Sequence, residues 1–236
     1  MRPGYEVWQA AMIKRLVCLA NSRKLHGRCI AGRELLQGKL GPWVRPVSDR
    51  EHEEVSEYER QYEDGSDPRV LDIIDVPLIG AKGNRRQPEN WLLDPNRYWS
   101  KTGEFEYENL HRLTDPQGEL WVNGHNTSNG LNDFVPADEA DRIGGSLRLI
   151  FVDGLRLRVY RPGLVFGNLK RRVQAIFSFG GFGYRLWVTD PLIETRYLDR
   201  ADGVHALGSS YLTISLGEPL EDRCYKLVAA IIGDSE

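Results

Sequence analysis

At 236 residues, the chain has room for one large domain or for two domains of about 100 residues each, and either would bury enough apolar surface to fold without disulfides. Its net charge of −3 is unevenly distributed, because residues 49–67 hold nine acidic side chains and two basic ones. The remainder of the chain is therefore net positive, and the total charge excludes neither a polyanionic partner nor a neutral one.

The composition argues against a membrane protein and against a secreted disulfide scaffold. No segment approaches the ~20 apolar residues of a membrane span, and residues 1–15 lack the continuous apolar core of a signal peptide. Cys18, Cys29 and Cys224 each lie in an apolar run, without the C-x-x-C spacing of a metal or redox site. We expect buried, reduced thiols in a cytoplasmic protein that makes no contact with a membrane.

The segment that follows residues 1–13, which we expect to form a short helix or a docking arm, predicts the start of a β-barrel. Three short apolar runs, at residues 16–20, 29–36 and 43–47, are separated by turn-forming segments and are rich in Val, Ile and Trp. Such runs are too short for helices and favour three consecutive antiparallel strands.

A helix is predicted next, over residues 48–65, where Val55 and tyrosines three and seven residues later form an apolar stripe on a charged segment. Ser48 and Glu51 fit a capping box at its start, in which each side chain bonds the other residue's backbone N–H.

Two more extended segments follow, at residues 70–79 and 91–99, with Pro77 restricting the first to a sheet edge or a bulge. Three strands, a helix and two strands form the order of an oligonucleotide/oligosaccharide-binding (OB) fold, a five-stranded Greek-key barrel. Such barrels bind ligands across the face of strands 2 and 3 and the adjoining loops.

The second half predicts a similar barrel. Asp153-Gly154 between residues 147–152 and 155–160 is typical of a type I′ hairpin. Further strands are predicted at residues 173–179, 184–190, 210–216 and 223–232, with a turn or short helix over 191–202. The outcome is a second OB-like barrel with one strand more than the pattern requires.

The resulting fold class is mainly β, with two tandem OB-like five-stranded barrels, each with a helix after its third strand, and a long irregular connector. We place the N-terminal arm at residues 1–13, the first barrel at 14–102, the connector at 103–145 and the second barrel at 146–236. The connector contains a short helix at 106–113 and much turn chemistry, and its apolar residues predict that it is ordered and pinned between the barrels.

No sequence pattern indicates catalysis. The chain lacks a G-x-x-x-x-G-K-[ST] loop, a G-x-S-x-G elbow and histidines at the i, i+4 spacing of a helical zinc site. We therefore expect a non-enzymatic protein without a cofactor or a metal. An enzyme that uses scattered carboxylates or His26 stays open as the weakest alternative.

Basic and aromatic residues instead point to ligand binding, because cationic tracks hold phosphates and aromatic rings stack on bases. In the first barrel, the candidates are Arg23, Lys24, Arg28, Trp43, Arg45, Arg85 and Arg86. In the second, they are Lys170, Arg171 and Arg172, which precede a phenylalanine-rich strand. The alternative is that the aromatic residues are core and the basic residues are a solvated surface.

Four blocks in order resemble a known family: CLANSRKLHGRCIAG, GPWVRPVS, GLNDFVP and YLTISLGEPLEDRCYKLVAAIIG. The chain is similar to the prokaryotic dual OB-containing domain proteins over nearly its whole length. The resemblance implies two tandem OB barrels and recognition of nucleic acid or nucleotides, in systems of conflict with phage or plasmids. The matching positions expected to contact a ligand are Ser22, Lys24, Arg28, Trp43, Arg45, Tyr225 and Lys226.

Two functional classes therefore stand beside the enzyme alternative. The first is a two-barrel binding module for nucleic acid or a nucleotide-like ligand, whose basic and aromatic residues share one open surface. The second is an adaptor or sensor subunit that docks onto an effector protein, which the acidic segment at 49–67 and the long connector suggest.

Overall fold

The computed structural model describes residues 12–37 and 39–233, and it is mainly β. The elements of the first half are β1 (Met12–Lys24), β2 (Gly27–Leu36), β3 (Lys39–Val47), α1 (Glu57–Arg60), β4 (Asp72–Ala81), β5 (Asn90–Leu93) and β6 (Ser100–Glu104). Of the predicted N-terminal arm at residues 1–13, residues 1–11 lie outside the described residues. Met12 and Ile13 belong to strand β1.

The first half closes into a five-stranded barrel. Strand β1 pairs with β2, β2 with β3, β3 with β5 and β5 with β4, and β4 pairs back onto β1. Only β3 and β5 run parallel in this ring. Inward-facing side chains such as Leu16, Ile30, Val44 and Ile74 fill the barrel, which confirms the predicted OB-like order.

The second half repeats that order. After β7 (Phe134–Pro136) and α2 (Ala137–Ala140) come β8 (Leu147–Tyr160), β9 (Arg172–Phe179), β10 (Phe182–Val188), α3 (Pro191–Leu198), β11 (Gly203–Leu220) and β12 (Arg223–Gly233). Strand β8 pairs with β9 and β11, while a short parallel pairing joins β10 to β12. The helix after the third strand, α3, begins with Asp190, whose carboxylate accepts bonds from two backbone N–H groups of its first turn.

The predicted hairpin at Asp153-Gly154 is wrong, because both residues lie within the single strand β8. Val152 pairs with Ser210, and Leu155 pairs with Gly208, on the long strand β11. Two register shifts in β11 at this point bend the pair without a turn. The two strands predicted at residues 147–152 and 155–160 form the single strand β8, so the second barrel has no extra strand.

The predicted helix over residues 48–65 is also wrong, apart from the four residues of α1. Its capping box is formed by Ser56 and Glu59 rather than by Ser48 and Glu51. Val55 pairs its backbone with Arg28 of β2, which holds this part of the segment extended.

The predicted strand over 91–99 is shorter, because β5 ends at Leu93 and a turn separates it from β6. Pro77 was expected at a sheet edge or in a bulge, but it pairs with Ile13 of β1 in a strand that has partners on both sides, and the nearest register irregularity lies between Leu78 and Gly80.

The connector is ordered, as predicted. Its first two residues complete β6, which pairs with β4 of the first barrel, and its strand β7 pairs with β12 of the second. A 3₁₀ helix at Tyr107–Leu113 inserts two leucines into an apolar layer between the barrels. That layer contains Val17, Leu19 and Trp43 from the first barrel and Leu149, Tyr211, Ala230 and Ile232 from the second.

The three cysteines are free: Cys18 and Cys224 are buried as predicted, and Cys29 is half-buried. Within residues 12–37 and 39–233, no helix is long and apolar enough to cross a membrane.

Candidate functional site

Two of the predicted ligand contacts, Trp43 and Arg45, face the second barrel instead of solvent. Only 9% of the Trp43 surface is exposed, and its indole N–H donates to a carboxylate oxygen of Asp115 over 3.2 Å. Arg45 is 3% exposed, donates to the Ser146 hydroxyl over 2.8 Å and forms an ion pair with Glu89. The expectation that these two residues form part of an open platform is therefore contradicted, because they join the barrels.

Ser22 and Lys226 are buried too. The Ser22 hydroxyl donates to the Cys29 carbonyl oxygen. Lys226 is 1% exposed, and its ammonium donates to the backbone oxygen of Val122 over 2.6 Å and to the Asn123 side chain. Burial lowers the pKa of Lys226 to about 8, with the charges of nearby acids opposing this shift. The lysine therefore fastens the connector to β12.

Other predicted residues lie at the surface but have partners. Lys24 forms an ion pair with Glu218 across the barrels, and Arg86 forms one with Asp141 of the connector. Tyr225 is half-buried against the Phe134 ring.

Exposed Arg85 sits beside Arg86 on the loop between β4 and β5, as predicted. Lys170 is exposed in the loop between β8 and β9, where its neighbour Arg171 is tied to Asp202.

The outer face of β8, β9 and β10 brings four arginines and two aromatic rings together. Alternation along these strands buries one set of side chains and turns the other outward. Strand register puts Arg158 beside Gln174, Gln174 beside Trp187, and Tyr160 beside Arg172. We call this surface the arginine face and define it by Arg156, Arg158, Tyr160, Arg172, Arg185 and Trp187.

The rings and guanidinium groups of the arginine face are layered. The Tyr160 and Trp187 rings are stacked, with centroids 6.0 Å apart and an interplanar angle of 16°. The Arg172 guanidinium lies 4.1 Å from the Trp187 ring centre, and the Arg158 guanidinium lies 4.0 Å from that of Tyr160. Such cation–π contacts hold the arginines in place without neutralising their charge.

Positive charge on this face is not compensated by direct ion pairs. Among residues 12–37 and 39–233, no carboxylate lies within ion-pair distance of its four arginines. Burial raises the pKa of Tyr160, while the charges of Arg158, Arg185 and Arg172 act in the opposite direction.

Two arginines of the first barrel, Arg23 and Arg28, pair with each other across β1 and β2. Burial lowers the pKa of Arg172, Glu194 opposes this shift, and the nearby charge of Arg23 adds to it. Arg23 itself forms a 2.9 Å ion pair with Glu194. Burial also lowers the pKa of Arg28, with Arg60 and Arg23 contributing.

A cavity of about 300 Å³ lies beside Arg28 at the junction of the barrels. We group Arg23, Arg28 and the arginine face under the name arginine track, within which Arg23 is ion-paired with Glu194.

The connector covers the middle of the arginine face. The Gln174 amide donates to the Asn129 carbonyl oxygen over 2.7 Å and is fully buried beneath it. Leu131 exchanges two backbone hydrogen bonds with Arg185 of β10. Arg156 is exposed, and the other members of the face are half-buried around this cover.

Of the predicted contacts, the arginine track contains Arg23, Arg28 and Arg172. Arg156, Arg158, Tyr160, Arg185 and Trp187 were not among the predicted ligand contacts. Alternation of apolar and polar residues at 155–161, which reads LRLRVYR, was the available signal, since it places two arginines and a tyrosine on one strand face. The incorrect hairpin assigned that strand the wrong neighbours.

In the described part of the chain, no group of three or more His, Cys, Asp or Glu side chains is arranged to hold a metal ion.

A family model described as the dual OB-containing domain matches residues 14–231. No curated protein and no solved structure matches the chain. The match covers both barrels and the connector between them.

Proposed function

The chain belongs to the dual OB-containing domain family, and on that premise we propose that it is a non-catalytic binding module for single-stranded nucleic acid or a nucleotide-like ligand. The observation that carries the proposal is the arginine face, where four arginines without ion pairs surround two stacked rings. This face occupies the first three strands of the second barrel, which include the usual binding surface of an OB fold.

The chemistry of the track suits a phosphate backbone. Guanidinium groups bind phosphate oxygens with two parallel hydrogen bonds, and each neutralised phosphate releases counterions. Arg23 and Arg28 lie on β1 and β2 of the first barrel, so a strand that ran from the arginine face to them would contact both barrels. A single nucleotide would instead need only one part of it.

The direct test is salt-dependent binding of labelled oligonucleotides, measured by fluorescence anisotropy. The double variant R156A/R158A removes two charges from the track, and R97A removes one from the exposed turn between β5 and β6. Weaker binding by the double variant, with R97A close to the wild type, supports the proposal. Failure of the wild type to bind any oligonucleotide at low salt contradicts it.

A second candidate function is an adaptor that docks onto an effector protein. The acidic segment at residues 49–67 favours it, because most of its carboxylates are exposed or half-exposed. Co-purification of a stoichiometric protein from native lysate after nuclease treatment would support this function. Loss of all partners on nuclease treatment would favour nucleic acid.

The absence of catalysis is part of the proposal, and incubation with labelled nucleotides and divalent metals tests it. We also propose the cytoplasm of a prokaryotic cell as the setting, which the three free thiols suit. A role in conflict with phage or plasmids has the family resemblance as its support. Phage plating on cells that express the wild type or R156A/R158A would test that role.

A further inference from the structure

The loop between β8 and β9 exposes the most apolar tip among the described residues. Val165 is 91% exposed and Phe166 is 90% exposed, and both lie in the short 3₁₀ turn Leu164–Phe166. Leu164 and Leu169 beside them are also largely exposed. A cluster of large apolar side chains exposed to water usually marks an interaction site.

The base of this loop is firmly anchored. Arg171 donates to Asp202 over 2.8 Å and to the backbone oxygens of Leu198 and Arg200 at the end of α3. Arg161, at the other end of the loop, pairs with the same Asp202 carboxylate. Both ends of the loop are therefore fastened to one point.

The tip itself is closed by backbone hydrogen bonds. The N–H groups of Phe166 and Asn168 both donate to the Gly163 carbonyl oxygen, over 2.9 and 3.0 Å. Gly167 has a φ of 76°, the left-handed conformation that glycine adopts without strain. The exposed phenyl ring thus projects from a preorganised turn, which reduces the entropy cost of binding through it.

The tip stands at one end of the arginine face. The loop leaves β8 after Tyr160 and enters β9 at Arg172, and these two residues pair directly across the strands. In OB folds the loop between the first two strands is one of the two loops that flank the ligand. Lys170 adds an exposed positive charge beside the tip.

We propose that Phe166 is a stacking platform for an unpaired base of a nucleic-acid strand bound on the arginine face. This inference rests on the proposed function and deepens it, because it makes single-stranded nucleic acid the ligand rather than a free nucleotide. The rings of Tyr160 and Trp187 each already carry a guanidinium group, whereas the Phe166 ring is free. The positive charge around the tip favours a polyanion over an apolar partner as its occupant.

The test compares an oligothymidylate with an abasic oligonucleotide of the same length, both labelled with fluorescein. Phe166→Ala should weaken binding of the oligothymidylate between about 5-fold and 150-fold, the range of one base–aromatic stack. It should not change binding of the abasic strand, and Phe166→Trp should retain the wild-type affinity. Tyr58→Ala, which removes an exposed ring from the acidic segment, is the matched control and should have no effect.

The outcomes separate this inference from the function on which it rests. If R156A/R158A weakens oligothymidylate binding but Phe166→Ala behaves like Tyr58→Ala, the stacking role is overturned and the binding function stands. If the wild type binds neither strand, both are overturned. A tip that docks on protein would cause self-association in sedimentation experiments, and a tip that docks on lipid would bind anionic vesicles. If Phe166→Ala abolishes either behaviour without changing oligonucleotide affinity, the stacking role is also overturned.

Discussion

The guanidinium of Arg172 lies over the indole ring of Trp187, 4.1 Å from its centre, on the outer surface of the second barrel. Glu194, the acid whose charge acts on Arg172, is ion-paired with Arg23 of the first barrel. The arginine is thus held in place by an aromatic ring while its charge stays available. A site that must bind an anion needs this combination, because an arginine fixed by a carboxylate would first have to break that ion pair.

The first prediction concerns the salt dependence of oligonucleotide binding. Replacing Arg156 and Arg158 with Ala should reduce the slope of log affinity against log salt concentration by about 1.4, since each lost phosphate contact accounts for about 0.7 on a single strand. Phe166→Ala should leave the slope unchanged, because phenylalanine carries no charge. Anisotropy titrations at several salt concentrations measure both slopes, and equal slopes for the wild type and R156A/R158A would remove these arginines from the interface.

The second prediction concerns the buried ion pair between Arg45 and Glu89, which lies beside Ser146 of the second barrel. Arg45→Met should destabilise the protein by about 3–5 kcal/mol, because it leaves the Glu89 carboxylate buried without its partner. Arg15→Met, which breaks a 2.7 Å ion pair with Asp75 at the surface, should destabilise the protein far less. Urea denaturation measures both changes.

A double variant tests the cause of that loss. R45M/E89Q should be more stable than R45M alone, since no unpaired charge then remains in the interface. If the double variant is the less stable of the two, the cost arises from lost hydrogen bonds to Asn90 and Ser146 rather than from the stranded carboxylate.

The sequence revealed the first barrel well because its signals are local. Short apolar runs separated by turns identified β1, β2 and β3. The hairpin predicted at Asp153-Gly154 was wrong because the partner of β8 at that point is β11, about 50 residues away in the chain. Long-range pairing overrode a strong local turn preference.

The candidate site was predicted only in part, for a related reason. Alternation along β3 places Trp43 and Arg45 on one face, and it cannot tell whether that face meets water or another barrel. In the structure this face packs against the second barrel, and Trp43 and Leu149 belong to the same apolar layer. Arg158 and Trp187 come together only through the register of three strands, which the incorrect hairpin concealed.

The third prediction concerns thiol reactivity. Burial raises the pKa of Cys18 to about 12, and burial also raises that of Cys224, whereas Cys29 is half-buried. Since only the thiolate attacks a disulfide reagent, native protein near pH 8 should expose Cys29 to slow modification and protect Cys18. Mass spectrometry after limited treatment identifies the modified thiol. Preferential labelling of Cys18 would mean that the first barrel opens readily.

The fourth prediction concerns the pH dependence of stability. Lys226 has a pKa of about 8 in the folded protein, against about 10.4 in an unfolded chain. The unfolded state therefore binds more protons between these values, and stability should rise with pH across this window as the native lysine becomes neutral. Compared with Lys226→Met, the wild type should gain about 2–3 kcal/mol between pH 8 and pH 10.4.

Comparison with the methionine variant isolates this lysine from other groups that titrate in the same range. Cys18 acts in the opposite direction, because its raised pKa makes the folded state lose stability as pH rises above about 8.5, the ordinary value for a thiol. Its contribution is the same in both proteins and cancels in their difference. Denaturant unfolding at intervals of pH gives that difference directly. Parallel stability curves for the wild type and Lys226→Met would show that Lys226 keeps an ordinary pKa in the folded protein and would contradict the prediction.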